Sequence, residues 1–213
     1  MTKILLVRHG ESLANEGDFF AGQLDVELTK RGIKQAELTA KWICENYLVD
    51  SVYSSDLIRA YDTAKIISNY FNLQPIKSKD LREINSGDWQ GKSFDQLKDE
   101  GGEEWNTWLK DIGKVKTPNG ETAEDLFNRI NSKVFEIARI NKDKTVVIVT
   151  HATPIRTVCC KVKGLSVDSL KDVAWVSNSS VTEIQVNNEN WSLIKESVDG
   201  YLKGLSTRFK ANV

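Results

Sequence analysis

The sequence predicts a three-layer α/β sandwich: a mostly parallel sheet with helices on both faces and a small helical cap insertion. Residues 4–7 and 146–149 are unbroken runs of Ile, Leu and Val, which are typical of strands buried on both faces. Elsewhere, segments with helical spacing alternate with shorter apolar segments, and no Pro- or Ser-rich linker interrupts them. We therefore expect a single domain over residues 1–213.

Composition limits the partners that the chain can have. The 213 residues carry a formal net charge of -1 without a block of Lys or Arg, which argues against a nucleic-acid partner. No apolar run reaches 18 residues, and the first strand starts too early to leave room for a signal peptide. We expect a cytoplasmic protein that binds no membrane. The sequence leaves the oligomeric state open, a homodimer included.

The first half of the chain predicts two strands, each followed by a helix. Residues 12–28, rich in Gly, Asn and Asp, are predicted to form a long loop after the first strand. Thr29 is the expected N-cap of a helix that ends near Tyr47. Residues 50–53 then form a short strand. Residues 54–71 contain a helix preceded by Ser, Ser and Asp, which are all good N-caps.

The middle of the chain predicts a short strand and an inserted cap. The strand covers residues 75–78. Residues 85–120 are expected to lie over the carboxyl ends of the strands as a cap, because apolar residues recur at helical spacings over residues 92–117. In or beside the cap are Trp89, Trp105 and Trp108, which either pack it against the sheet or stack on a ring of a ligand.

The last third of the chain predicts a helix, a strand, a second helix and a hairpin. Residues 122–141 form an amphipathic helix that starts with a capping sequence. The strand over residues 146–149 leads into a helix that ends near Val162. Residues 181–186 and 191–196 alternate apolar and polar side chains across a turn rich in Asn, which predicts a hairpin. The last seventeen residues have no interpretable pattern.

Charged and imidazole side chains follow three of the predicted strands. The chain has two histidines: His9 follows the first strand beside Arg8, and His151 follows the strand over residues 146–149. Arg59 lies near the first turn of the helix after the second strand. Ligands of open α/β sheets bind at the carboxyl ends of the strands. One histidine at such a position is often structural, whereas this set predicts a site for a small anion.

Four blocks of sequence resemble the histidine phosphatase superfamily, also called phosphoglycerate mutase-like. A bare Arg-His-Gly triplet would be weak, but the four blocks together are highly specific and extend over about residues 3–186. The blocks occur in the order of the family: Arg8-His9-Gly10-Glu11-Ser12 with Asn15, Gly22 and residues 28–36; Ser54-Ser55-Asp56-Leu57-Ile58-Arg59-Ala60 with Thr63-Ala64; Leu81-Arg82-Glu83 with Gly87 and Trp89-Gln90-Gly91; and Thr150-His151.

The resemblance implies a phosphoryl-transfer site that uses no metal and no cofactor. It implies that His9 is the nucleophile and forms a phosphohistidine, and that Glu83 donates a proton to the leaving oxygen. We expect burial under the cap and the charge of the substrate to keep Glu83 protonated. The chain departs from the family at Ala21, where many members carry a polar side chain. The implied phosphate ligands are Arg8, Arg59 and His151. The implied further substrate contacts are Ser12, Asn15, Gly22 and Ala152. Ala152 stands where Gly is common in the family.

The resemblance leaves three functions to distinguish. Cofactor-dependent mutases of the family insert a longer segment between the acid and the second histidine than the 67 residues 84–150 of this chain. We therefore favour a phosphatase that acts on a small phosphomonoester, with a phosphoglycerate mutase as the alternative. A non-catalytic binding module is the third reading, although such members usually lack a catalytic residue that this chain has. Residues 105–121 are similar to α-ribazole phosphatases, and sugar phosphates are equally compatible substrates.

Overall fold

A six-stranded sheet is the middle layer of the computed structural model, which describes residues 1–188 and 190–207. The strands are β1 (Thr2–Arg8), β2 (Ser51–Ser55), β3 (Ile76–Ser78), β4 (Thr145–Thr150), β5 (Val181–Asn187) and β6 (Asn190–Val198). They stand in the order β3-β2-β4-β1-β5-β6. The first four run parallel, and β5 is antiparallel to both of its neighbours. The sheet is therefore mostly parallel, as the sequence predicts.

Helices cover both faces of this sheet. Within the described residues the α-helices are α1 (Leu13–Glu16), α2 (Lys30–Asn46), α3 (Ile58–Asn69), α4 (Phe94–Glu100), α5 (Gly102–Lys110), α6 (Ala123–Ile140) and α7 (Ala152–Val162). Short 3₁₀ turns occupy Lys79–Leu81, Gly87–Trp89, Ile112–Lys114, Val167–Asp172 and Gly200–Leu202. None of the described helices is long and apolar enough to cross a membrane.

Alternate residues of β1 face opposite helical layers. Leu5 and Val7 belong to the cluster that includes buried residues of α2 and α3. Ile4 and Leu6 belong to the cluster that includes buried residues of α6 and α7. All four side chains are fully buried, and each such burial contributes about 1.5–3 kcal/mol. This arrangement confirms the predicted three-layer α/β fold.

Two local predictions for the first half need correction. Residues 12–28 are not one uninterrupted loop, because they contain the short helix α1. Helix α3 begins at Ile58, and its N-cap is Leu57, whose side chain cannot accept a hydrogen bond. Instead, Asp25 Oδ1 accepts a hydrogen bond of 2.6 Å from the N–H of Ile58. The capping oxygen therefore comes from a distant loop, which no local pattern indicates.

The other predicted helices and strands are present, with ends that differ by one or two residues, as is usual for element boundaries. The start of α6 follows the expected capping chemistry. The Thr122 hydroxyl accepts a hydrogen bond of 3.0 Å from Asp125 N–H, and Asp125 Oδ2 accepts one of 3.1 Å from Thr122 N–H. This reciprocal pair satisfies two backbone donors that the helix itself leaves unpaired.

Residues 85–120 contain α4 and α5 and pack around one aromatic ring. The ring of Phe20 lies 5.8 Å from that of Trp89, 6.4 Å from that of Trp105 and 4.9 Å from that of Trp108, measured between ring centroids. All three tryptophans are buried. The same apolar cluster continues between the sheet and α6, so this segment shares its core with the rest of the fold.

The loop after β1 lies directly against the first turn of α2. A Cβ added to Gly10 would overlap the carbonyl oxygen of Gly32, and a Cβ added to Gly32 would overlap the carbonyl oxygen of Glu11. Both obstacles are backbone atoms, which cannot rotate away as a side chain can. Glycine is therefore required at both positions, and the loop that carries His9 is fixed by this contact.

We predict that Gly32→Ala destabilises the protein. Alanine is favoured over glycine inside a helix by up to about 1 kcal/mol, but the overlap with the Glu11 carbonyl outweighs this gain, since overpacking costs about 1–3 kcal/mol. We expect the free energy of unfolding in urea to fall by about 2 kcal/mol. The matched control is Gly200→Ala, whose added Cβ has no neighbour within 4 Å and which should change stability by less than about 0.5 kcal/mol. Equal stability of the two variants would contradict the prediction.

Candidate active site

Parallel pairing of β1 with β4 brings the two histidines together. Arg8, at the end of β1, is the register partner of Thr150, at the end of β4. His9 and His151 are the next residues in each case. Their imidazole rings meet edge to face, with centroids 5.0 Å apart. Both rings are buried at the carboxyl end of the sheet, but of the two only His9 is among the residues that line the cavity there.

The backbone around His9 determines which ring nitrogen carries the proton. Nδ1 of His9 lies 2.7 Å from the carbonyl oxygen of Gly10. A carbonyl oxygen only accepts hydrogen bonds, so Nδ1 is the donor and Nε2 of the neutral ring keeps its lone pair. Thr63 Oγ1 accepts from Gly10 N–H at 3.1 Å, and Asn178 Nδ2 donates to the His9 carbonyl at 3.2 Å. Nε2, the nitrogen that keeps its lone pair, is thus oriented by a fixed loop.

His151 is held by the neighbouring strand. Its Nε2 lies 2.9 Å from the hydroxyl of Ser55, the last residue of β2. The ring is completely buried. Its Nδ1 has no hydrogen-bond partner among residues 1–188 and 190–207. Buried polar atoms are normally satisfied, so this nitrogen marks a place for an additional polar group.

Two buried arginines line the same cavity, and neither forms an ion pair with a carboxylate of residues 1–188 or 190–207. Arg8 is 3% exposed and Arg59 is 1% exposed. Arg8 Nη1 donates to the Val176 carbonyl at 2.7 Å, and Arg59 donates to the carbonyls of Leu24 and Gly22 at 2.8 and 2.7 Å. In the described part of the chain, the arginines that form ion pairs are Arg31, Arg82 and Arg129.

The two guanidinium groups remain cations despite their burial. Burial lowers the pKa of Arg8 and of Arg59 to about 10, which is still far above neutral pH. Burial also lowers the pKa of His9 well below its ordinary value, and the positive charges of Arg59 and Arg8 lower it further. The same causes, burial first and Arg59 second, lower the pKa of His151. The site therefore combines neutral imidazoles with fixed positive charge.

The predicted acid, Glu83, also lies at the cavity, but it is half-buried rather than buried. Its Oε1 accepts a hydrogen bond of 2.9 Å from the N–H of Ile84. Its Oε2 accepts one of 3.3 Å from the N–H of Thr153, in the first turn of α7. The cap thus covers Glu83 less completely than the sequence suggests.

The four further residues predicted to contact substrate all line the cavity. They are Ser12, Asn15, Gly22 and Ala152. Asn15 Oδ1 accepts hydrogen bonds of 3.1 Å from both the N–H and the hydroxyl of Ser12. Gly22 has a φ of +49°, a left-handed conformation that favours glycine. Ala152 is the first residue of α7, at the positive end of the helix dipole.

Besides its charged residues, the cavity is lined by a group of aromatic rings, called the aromatic wall here, that the sequence did not reveal as a unit. The cavity has a volume of about 370 Å³. The rings that line it are Phe19, Phe20, Phe94, Trp108 and Trp175. Trp89 and Trp105 lie behind this wall in the core, so of the cap tryptophans named above only Trp108 is available to a ligand. Residues from four separate segments form the wall, and no local sequence signal joins them.

The C-terminal segment also reaches the cavity, although its sequence gave no indication of this. Thr207 lines the cavity, and its hydroxyl donates to Asn178 Oδ1 at 3.1 Å. Gln35 of α2 donates through Nε2 to the carbonyl of Leu205 at 2.7 Å and to the Thr207 hydroxyl at 3.0 Å. Its Oε1 accepts from the N–H of Glu11 at 2.8 Å. One buried amide therefore connects the C-terminal segment to the loop of His9.

No metal-binding cluster accompanies these residues. Among the residues that the structure describes, no three or more His, Cys, Asp or Glu side chains are grouped so that they could hold a metal ion.

A fold with two histidines at adjacent strand ends and two buried arginines beside them defines a class of enzyme that acts on phosphate esters. The sequence profile of the histidine phosphatase superfamily (branch 1) matches residues 4–198. The chain belongs to this superfamily, as the sequence blocks predict, and it is a phosphatase.

Individual relatives agree with this assignment. Phosphoserine phosphatase 1 of Hydrogenobacter thermophilus is 31% identical over 202 residues, which cover 95% of each chain. The metal-independent phosphoserine phosphatase of Arabidopsis thaliana is 29% identical over 90% of this chain and 79% of its own. The solved structure of YhfR from Bacillus stearothermophilus is 27% identical and superposes with a TM-score of 0.90 over 95% of this chain and 100% of its own.

We predict that both histidines titrate well below pH 6.5 in the folded protein. Protonation would place a third positive charge beside Arg8 and Arg59, so it requires more acidic solution. The unfolded chain takes up these protons near pH 6.5, and stability is therefore lost as the pH falls below that value. With two histidines in the sequence, NMR of ring-labelled, untagged protein resolves each titration, and His9→Ala assigns them. A folded-state midpoint at or above 6.5 for either ring would contradict the prediction.

Proposed function

We propose that the protein is a metal-independent phosphomonoester hydrolase that works through a phosphohistidine at His9. The observation that carries this proposal is the hydrogen bond between Nδ1 of His9 and the Gly10 carbonyl. It places the ring proton on Nδ1 and leaves a lone pair on Nε2, in a cavity lined by Arg8 and Arg59. A neutral nitrogen nucleophile next to fixed cations is what attack on a phosphate dianion requires.

The reaction that we propose has two steps. In the first, Nε2 of His9 attacks phosphorus, the P–O bond to the organic group breaks, and Glu83 gives its proton to the leaving oxygen. In the second, Glu83 takes a proton from water while the water oxygen attacks phosphorus. The P–N bond breaks, its electron pair returns to Nε2, and inorganic phosphate leaves. Such acid–base assistance typically accelerates a step by about 10²–10⁴-fold.

Hydrogen-bond donors for the phosphate are available at the site. In the described structure Arg8 uses one of its five N–H donors and Arg59 uses two, all on backbone carbonyls. The buried Nε of Arg8 and Nδ1 of His151 have no partner there. A phosphate group satisfies these atoms and neutralises two desolvated charges at the same time. This double requirement supports Arg8 and Arg59, which line the cavity, as phosphate ligands, and the unpartnered Nδ1 supports His151, which lies behind the lining, as a third.

The charge of the substrate supports the role of Glu83. A phosphate dianion in the cavity makes a second negative charge beside it unfavourable, so the bound substrate favours a proton donor at this position. The hydrogen bonds from Ile84 and Thr153 hold the carboxyl group at the cavity. Substrate charge, more than burial, is then what prepares Glu83 as the proton donor.

The two walls of the cavity support a small ester with an organic part that contacts aromatic rings. The phosphate occupies the end with Arg8 and Arg59, and the organic part faces Trp108 and Trp175. The organic part of α-ribazole 5′-phosphate, the ester suggested by the sequence, contains a ring that can stack on these side chains. Sugar phosphates are the other substrates that the sequence suggests, and the names of two relatives add phosphoserine. Phosphate release from these esters, compared by kcat/KM, identifies the preferred substrate.

We predict that His9→Ala abolishes phosphate release. Loss of the nucleophile should lower kcat by at least about 10⁴-fold, while thermal unfolding stays cooperative. Wild-type protein quenched during turnover of a ³²P-labelled ester should retain a label that is stable to base and labile to acid. Turnover by His9→Ala, or a wild-type protein that binds phosphate esters without cleaving them, would contradict the proposal and favour a binding module.

We also predict that chelation leaves the activity unchanged. Arg8 and Arg59 supply the positive charge that a metal supplies in other phosphatases, so dialysis against EDTA should alter kcat/KM by less than about 2-fold. Activity that is lost on dialysis and restored by Mg²⁺ would overturn metal independence.

In the same assay, 3-phosphoglycerate with trace 2,3-bisphosphoglycerate should give inorganic phosphate, whereas efficient formation of 2-phosphoglycerate would favour a mutase.

A further inference from the structure

The loop that carries Glu83 is irregular, yet every carbonyl group along it is bound. It follows the 3₁₀ turn Lys79–Leu81 and contains neither helix nor strand until Gly87. Each carbonyl over residues 80–85 accepts a hydrogen bond from a residue outside the loop or at its end. Arg129 donates to the carbonyls of Asp80, Arg82 and Glu83, and Gln23 also donates to that of Glu83. The Leu81 carbonyl accepts from Thr150, the Ile84 carbonyl from Ser86, and the Asn85 carbonyl from Glu121 and Thr117.

One side chain, Arg129 of α6, provides three of these contacts. Its Nη1 donates to the carbonyls of Asp80 and Arg82 at 2.9 and 3.0 Å, and its Nη2 donates to the carbonyl of Glu83 at 3.3 Å. Nε and Nη2 also form a bidentate pair with Glu121, both at 2.8 Å. All five N–H donors of the guanidinium are therefore used.

Glu121 secures the other end of the same loop. Its Oε2 accepts a hydrogen bond of 2.8 Å from the N–H of Asn85, and its own N–H donates to the Asn85 carbonyl at 2.8 Å. The side chains of Glu121 and Arg129 are about one-fifth exposed. The Arg129–Glu121 pair thus forms hydrogen bonds with the backbone before Glu83, at Asp80 and Arg82, and with the backbone after it, at Asn85.

Arg129 is separate from the catalytic cavity. It is absent from the residues that line the cavity, whereas Glu83 is present. A general acid must be held within hydrogen-bond reach of the leaving oxygen, and small displacements of a catalytic group lower the rate strongly. The loop that Arg129 binds carries Glu83 and joins it to the end of β3.

From these contacts we propose that Arg129, paired with Glu121, is a positioning residue for proton transfer by Glu83. This inference rests on the proposed role of Glu83 as the proton donor. Arg129 touches neither phosphate nor nucleophile. It binds the carbonyl of Arg82, just before the acid, and the carbonyl of Glu83 itself. A lysine at this position keeps the positive charge but cannot reproduce a planar fork that binds three carbonyls and a carboxylate. Arg129→Lys therefore separates positioning from electrostatics.

The test compares two esters with the same ring and different leaving groups. Phenyl phosphate releases a strongly basic phenolate that needs the proton of Glu83, whereas p-nitrophenyl phosphate releases a weakly basic one that does not. We measure kcat/KM, which reports the steps up to phosphorylation of His9. Arg129→Lys is expected to lower kcat/KM for phenyl phosphate by about 10–100-fold and for p-nitrophenyl phosphate by less than about 3-fold. Arg139→Lys, an exposed position on the same helix, is the matched control and should change neither.

A double variant shows whether the effect passes through Glu83. Glu83→Gln alone should reproduce the selective loss on phenyl phosphate, and adding Arg129→Lys to it should cause no further change. Glu121→Gln keeps one acceptor for Arg129 and should give the same selectivity with a smaller loss. It also serves as the test if Arg129→Lys does not fold.

Each other outcome has a distinct meaning. An equal loss on both esters, no loss, or a loss that adds to that of Glu83→Gln would overturn the positioning role. If Glu83→Gln itself turns over both esters at the wild-type rate, the proposed acid is wrong, and the inference fails with it. If Glu83→Gln shows the selective loss and Arg129→Lys does not, the proposed function stands and only the inference is overturned.

Discussion

The site depends on two buried guanidinium groups that form no ion pair with a carboxylate in the described part of the chain. Removing a charge from water costs several kcal/mol even after the protein relaxes, and Arg8 and Arg59 recover part of this through backbone carbonyls. Burial, and after it the positive charge that remains, lowers the pKa of both imidazoles, and the same charge favours an anion in the cavity. In the proposed function, an unprotonated His9 and the binding of phosphate therefore both depend on these arginines.

The sheet alone does not create this arrangement. It places Arg8, His9 and His151 at adjacent strand ends, but the carbonyls that anchor the arginines come from irregular segments. Arg59 reaches the left-handed backbone at Gly22, and Arg8 reaches Val176, shortly before β5. The strands thus determine which side chains meet, and the loops determine where each guanidinium points.

The sequence predicted those features that depend on periodicity and on motif. Buried runs such as residues 146–149 and the capping box at Thr122 identify their elements locally, and the resemblance identified the catalytic candidates. Long-range features escaped prediction. The oxygen that accepts a hydrogen bond from the first N–H of α3 belongs to Asp25. The aromatic wall combines Phe20 with Trp108 and other rings from separate segments. Such contacts depend on tertiary packing, which a single sequence does not encode in any local window.

The amide of Gln35 joins the two ends of the chain. Because Oε1 accepts from the backbone of Glu11 and Nε2 donates to Leu205 and Thr207, its orientation is fixed at both ends. A protein truncated before residue 205 would keep its whole sheet but leave a buried NH₂ group without acceptors, at a cost of about 1–3 kcal/mol. The loosened amide would weaken the hold on the backbone of Glu11, two residues after His9, so truncation before residue 205 would disturb the cavity as well as stability.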